Sequence, residues 1–199
     1  MMDLVPYILE HVIIVVIATV ISIVIGVILG IAAYWIRPVA APVLLFSEAV
    51  QTIPSLALLA ILMVLFGLGN TTIIVGLVLY ALLPIVRNTH TGLITVPAAI
   101  KDAARGMGMS KMQQLFWVEL PLTLPLIFSG IKISVVNSLS IAVIGVLVGA
   151  GGLGFPIYRG IQTQNAGLIM SGAIPIMIMA VLFDFLMTAV EKRLIKSVK

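Results

Sequence analysis

Cysteine is absent from the chain, which excludes a disulfide, a thiolate nucleophile and a cysteine metal site. Charge is scarce as well. Only 9% of the 199 residues are charged, against about 25% in ordinary soluble domains. Histidine occurs twice, as His11 and His90, far apart and outside any H-E-x-x-H pattern. No G-x-x-x-x-G-K-[ST] loop is present, so the chain lacks the usual cradle for the phosphates of ATP. No catalytic residue and no metal ligand is expected, and an intramembrane enzyme has no nucleophile–base pair to use. No lysine or arginine precedes Arg37, and Asp3 and Glu10 stand where a cleavable signal carries its basic residues.

What the chain has in quantity is hydrocarbon: 62% of its residues are hydrophobic. A water-soluble domain of this composition would expose large apolar patches and aggregate. Lipid is therefore the expected solvent for much of the surface. Crossing a bilayer as a helix takes about 20 apolar residues, because each backbone polar group must be satisfied within its own segment. Uncharged or nearly uncharged stretches predict five spans, near 12–36, 43–66, 71–86, 122–148 and 168–190. Pro54 is expected to kink the second, and Gly67, Gly69 and Asn70 to separate it from the third. The expected fold is an all-α membrane protein, a single transmembrane domain over 1–199, with a polar connection at 87–121.

Basic residues orient the chain. Lys192, Arg193, Lys196 and Lys199 crowd its end. With that end cytoplasmic, Arg37, Arg87, Lys101, Arg105 and Lys111 also fall inside, Lys132 lies in the inner half of its span, and only Arg159 is outside. Ten of the eleven basic residues then obey the positive-inside bias. The N-terminus is expected out, the C-terminus in. The basic excess reads as topology, and no nucleic-acid partner is expected.

The stretch GAGGLG at 149–154 fits G-x-G-x-x-G. It follows a membrane helix instead of a sheet strand, and no acidic residue comes before Asp184. It is expected to be a tight bend packed closely against neighbouring backbone, not a dinucleotide site.

The longest polar connection contains TVPAAIKDAARGMGMSKMQQLFWVELPLTLP at 95–125. Local signals predict two short helices: Thr95 and Pro97 open the first, and Gly106 and Gly108 end it. Ser110 with Gln113 caps the second, Pro121 closes it, and Pro125 opens the fourth span. An amphipathic pair lying on the lipid surface is the alternative. Within this segment stand Asp102-Ala103-Ala104, then Gly108 after three residues, then Val118-Glu119-Leu120-Pro121 after nine more. This resembles the EAA loop of ATP-binding-cassette importer permeases, E-A-A, three residues, G, nine residues, I-x-L-P, with Asp for Glu and Val for Ile.

The resemblance implies a type I importer transmembrane domain whose loop docks into a separate ATPase subunit. Asp102, Ala103, Ala104, Arg105, Gly108 and Lys111 are the expected coupling residues. Lys101 is a further charge available to a partner. SEAVQTIPSLALLAI at 47–61, PIVRNTHTGL at 84–93 and GVLVGAGGLG at 145–154 are similar to permeases of osmoprotectant importers, which move glycine betaine, carnitine or choline. The implied partners are a second identical or similar permease, two ATPase subunits that hold ATP and magnesium, and an external substrate-binding protein. The implied location is the cell membrane. The chain ends soon after its fifth span, so the binding protein is expected as a separate chain. A methionine importer permease of similar layout and an ATP-independent channel or carrier are the competing readings.

Within the membrane, Gln51, Thr52, Pro54 and Ser55 form a polar break, read equally well as a pathway-lining kink or a structural bend. Ser134, Asn137 and Ser138 share a helical face with Ile141, fitting a solute path or interhelical hydrogen bonds. Ser22, Gly26 and Gly30 recur every four residues and are read as packing. Lys132 and Asp184 fall at comparable depths and are expected to form a structural ion pair. His11 and His90 are expected near the membrane interfaces.

Overall fold

The computed structural model describes residues 3–198, with side chains through residue 195. Lys199 of the C-terminal basic cluster lies outside the described residues, and so does the side chain of Lys196. The described residues are helical, without strands, in the order α1 (Val5–Trp35), α2 (Arg37–Thr52), α3 (Ser55–Phe66), α4 (Asn70–Thr95), α5 (Ala98–Gly106), α6 (Lys111–Gln114), α7 (Leu120–Ala142), α8 (Gly154–Gln162) and α9 (Ala166–Val198). Among them, four helical runs are long and apolar enough to cross a membrane, or five if the bent pair α2–α3 is one span.

The bundle is organised around α4, which packs along α1 on one side and α7 on another. On α1 the buried positions His11, Ile14, Val15, Ala18, Ser22, Gly26, Gly30 and Ala33 form one stripe at three- and four-residue spacing. Val16, Val20, Val24 and Ile28 face outward. Small residues set the helix spacing. A β-carbon on Gly26 would lie 2.7 Å from a methyl of Ile85, and one on Gly30 2.5 Å from Thr89. Ile14, Val15, Leu59, Ile73, Leu77, Val135 and Leu139 close the main core.

Four features depart from expectation. First, the stretch 43–66 is not one kinked helix. Helix α2 starts at Arg37, with a proline in its first turn, and α2 meets α3 at 104°. The cause is Pro54, which pushes the residue before it out of the helical region. Ile53 and Pro54 have ψ of 127° and 134°, and the helix restarts at Ser55.

Second, α4 does not stop near residue 86. It runs to Thr95, because leaving the hydrocarbon does not end a helix when the next turns carry no breaker. Third, Pro121 does not close the second elbow helix, nor does Pro125 open a new one. Helix α6 passes through a π turn, Leu115–Glu119, directly into α7, making one rod over Lys111–Val148. The Leu120 N–H bonds the Leu115 carbonyl. This extra residue in the turn re-registers the ladder just ahead of Pro121, whose ring would otherwise clash and has no N–H to give.

Fourth, His11, expected near an interface only by its position near one end of its span, is fully buried between helices. Its Nε2 lies 3.2 Å from the Leu139 carbonyl.

Candidate functional site: the polar elbow and the interior polar groups

The elbow begins where Pro97, with extended backbone, caps α5. Helix α5 ends in a tight Schellman turn. The Met109 N–H bonds the Ala104 carbonyl at 3.2 Å, and the Gly108 N–H bonds the Arg105 carbonyl at 2.9 Å. Gly108 sits at φ +80°, a left-handed conformation that glycine adopts without penalty. Nothing lies within 4 Å of where its β-carbon would be. Ser110 then opens α6 with a reciprocal capping box to Gln113, at 2.8 and 3.3 Å.

The motif residues divide by burial. Ala104 is packed inward, 1% exposed. Asp102, Ala103, Arg105, Gly108 and Lys111 face outward. Arg105 and Asp102 pair on the surface at 3.4 Å. Met107, 69% exposed, stands at the tip of the turn. Lys101 is committed inside the chain, not free for a partner. Its Nζ donates to the Leu93 carbonyl and to the Tyr34 hydroxyl, each at 2.8 Å, fastening α5 to α4 and α1. Gln114, also missing from the expected set, is buried and donates to the Met109 carbonyl at 2.8 Å. A single sequence gives no signal for Tyr34 or Leu93, because both lie on other helices.

The interior polar groups meet on α4. Pro84 has no N–H, so it leaves the Tyr80 carbonyl without its usual helical donor. Gln51 Nε2 supplies that donor at 2.9 Å. The Tyr80 hydroxyl in turn donates to the Ile53 carbonyl at the α2–α3 break. One residue on, the Ala81 carbonyl accepts from Ser134 of α7 at 3.0 Å. The two expected groups, 51–55 and 134–138, thus flank adjacent residues of α4. Ser134 and Ser138 are buried between helices, whereas Asn137 is exposed. Thr52 bonds only its own helix, at the Ala49 carbonyl. Lys132 Nζ lies 3.1 Å from Asp184 Oδ1 and 2.7 Å from Thr188 Oγ1, joining α7 to α9.

At the opposite end from the elbow, Glu10 organises the glycine segment. Its carboxylate accepts from Asn70 Nδ2 at 3.0 Å and from the Gly152 N–H at 3.1 Å, while Asn70 Oδ1 accepts the Gly151 N–H at 3.1 Å. Gly149 and Gly152 take left-handed conformations, and a β-carbon on Gly154 would lie 2.0 Å from the Val143 carbonyl oxygen. The backbone N–H groups that a phosphate would need are therefore spent on Glu10 and Asn70.

Residues 22–196 match the family of binding-protein-dependent transport system inner membrane components. The chain is 46% identical over 159 residues to the choline transport system permease protein OpuBD of Bacillus subtilis, across 79% of this chain and 70% of that one. It is 47% identical over 149 residues to the glycine betaine/carnitine/choline transport system permease protein OpuCD of the same organism, across 74% of this chain and 65% of that one. The fold superposes on a chain of the MetNI methionine ABC transporter in an inward-facing conformation, with TM-score 0.83 and 25% identity, covering 96% of this chain and 95% of that one.

Proposed function

The chain belongs to the binding-protein-dependent transport system inner membrane components, multi-pass membrane proteins of ABC importers, and from that premise we propose that it couples a partner's ATP cycle to uptake of a small quaternary ammonium osmoprotectant. Glycine betaine, carnitine and choline are the substrates the relatives' names point to. Two ATPase subunits bind ATP and magnesium, a second permease copy or a similar chain completes the path, and an external protein delivers the solute. In this reading there are five spans, with α2–α3 as the broken one, the N-terminus outside and the C-terminus inside. The elbow is then cytoplasmic.

The observation that carries the reading is the elbow's geometry. The residues of the Asp102–Gly108 pattern form a short helix closed by a left-handed glycine, with Asp102, Ala103, Arg105 and Met107 on its exposed side. Small alanines suit insertion into a groove, and methionine gives adaptable apolar contact. The helix is fastened by Lys101 to α1 and α4. A push on it is delivered to two membrane helices at once, and α6 passes the push to α7 without a loop.

Gln51, Thr52, Pro54, Ser55, Ser134, Asn137 and Ser138 are proposed to border the solute path at the α4 proline, where helix packing is adjustable. Lys132 and Asp184 are proposed as a structural pair holding α9 to α7. Identity of 46–47% to the osmoprotectant permeases against 25% to the methionine transporter chain favours the former substrate class.

The test is uptake in proteoliposomes holding the permease with its ATPase and matching binding protein. Labelled choline or glycine betaine should accumulate only with internal ATP, and methionine should not. ATP-independent accumulation, or accumulation of methionine alone, would reject the reading.

A further inference from the structure

Next to the elbow lies a cavity of about 630 Å³, lined in part by the coupling residues Arg105 and Lys111. It opens where the end of α1 and the start of α2 meet α4 and the root of α6. Arg37, Arg105 and Lys111 line it with His90, Trp35 and one carboxylate, Glu119. Three cations line it against Glu119, and with Asp102 paired to Arg105 the cluster still carries an excess positive charge. Such an accumulation at a helix junction is unfavourable unless an anion shares it. Among the described residues, the side chains of Arg37, Lys111 and His90 have no hydrogen-bond or ion-pair partner, and that of Arg105 has only the exposed Asp102. Glu119 is 6% exposed, and its Oε2 is buried without a hydrogen-bond partner. A buried, unpaired carboxylate oxygen calls for a donor.

The ligand chemistry follows from these two facts together: a phosphate group for the guanidinium and ammonium groups, carried on a molecule that also has a hydroxyl donor for Glu119. The surroundings favour a lipid source. Trp35 and Ile94, which line the cavity, are exposed apolar residues, and the outward face of α1 continues apolar through Ile28 and Val24. Basic pockets between membrane helices on the cytoplasmic side suit acidic headgroups. We infer that this cavity binds the glycerophosphate headgroup of an acidic inner-leaflet phospholipid, bridging the elbow (Arg105, Lys111) to the α1–α2 junction (Arg37). The inference rests on the cytoplasmic placement of the elbow proposed above. The lipid then adds a second bridge between the elbow and the α1–α2 junction, beside the Lys101–Tyr34 contact, so membrane composition tunes coupling.

The experiment is native mass spectrometry of the chain purified in detergent, titrated separately with dioleoylphosphatidylglycerol, dioleoylphosphatidylcholine, dioleoylphosphatidic acid and soluble glycerol 3-phosphate. Phosphatidylglycerol should bind at least tenfold tighter than phosphatidylcholine, which has the phosphate but no net charge, and tighter than phosphatidic acid, which lacks the alcohol hydroxyls of the glycerol headgroup. Arg37→Gln should weaken phosphatidylglycerol about tenfold, while Arg37→Lys keeps most of the binding. Lys111→Gln gives the same reading if Arg37→Gln does not fold, with melting temperature as the check.

Equal binding of phosphatidylglycerol to the wild type and Arg37→Gln would overturn the site. Glycerol 3-phosphate competing as well as the lipid would overturn the lipid source, and phosphatidic acid binding tighter would overturn the part given to Glu119. Mass readout needs no ATP turnover, so failure here is distinct from failure of the importer reading, which shows in uptake.

Discussion

Single glycines meet two different demands here, one of backbone angle and one of space. Gly108 is constrained by backbone angle alone, since space around its β-position is open. A β-branched residue in the left-handed region costs about 1–2 kcal/mol, which is local to the elbow. Gly108→Val is therefore expected to insert and fold but to lose most substrate-stimulated ATP hydrolysis in the assembled complex, and Gly108→Asn to lose less, because Asn tolerates the conformation. Hydrolysis by the reconstituted complex, compared with unchanged expression and melting temperature, checks this. Gly154 is the opposite case. Its β-carbon would meet backbone, the Val143 carbonyl oxygen at 2.0 Å, so Gly154→Ala forces a main-chain shift and should cost about 1–3 kcal/mol of overpacking. A lowered melting temperature in detergent is the readout.

Helices in this bundle are joined by side chains that repair each other's proline breaks. Gln51→Leu removes the donor to the Tyr80 carbonyl and, because the bond is exposed, should destabilise the chain by about 0.5–1.5 kcal/mol. Pro84→Ala returns a helical N–H to that same carbonyl, so Gln51→Leu should cost much less in that background. The coupling in this double-mutant cycle, measured by thermal unfolding in detergent, tests whether Gln51 acts structurally at the break. The Lys132–Asp184 pair is read the same way. Replacing one partner strands the other, with a cost below the roughly 3–5 kcal/mol of a fully buried pair because Asp184 is half exposed. Replacing both, as in Lys132→Met with Asp184→Leu, should restore part of the stability; additive losses would remove the pair from the account.

At this scale the sequence was informative where the signal is local. The Ser110 capping box, the break at Pro54 and the separation at Gly67–Asn70 are all readable from neighbours. The 104° angle, the π turn before Pro121 and the burial of His11 are not, because each depends on what another helix presents. Lys101 shows the limit within the elbow itself. It looks like surface charge until Tyr34 and Leu93 are placed beside it.

For the whole molecule, composition points to lipid as the solvent and the basic residues give the orientation proposed above; both are sums over the chain. Function was legible because the coupling pattern is contiguous and short. The proposed solute path was not, since the residues assigned to it come from different helices and meet only in three dimensions.

The central claim is that the elbow is gripped by an ATPase subunit, and the absence of cysteine makes it directly testable, because an introduced thiol is the chain's only one. Met107→Cys places that thiol at the exposed tip of the elbow, and Leu68→Cys, 72% exposed, places it at the turn near the glycine segment, at the opposite end. A thiol-to-amine cross-linker applied to membranes holding the assembled transporter should trap the ATPase subunit through residue 107 and not through residue 68. No adduct at 107 in an actively transporting complex, or an ATPase adduct at 68 instead, would contradict the account.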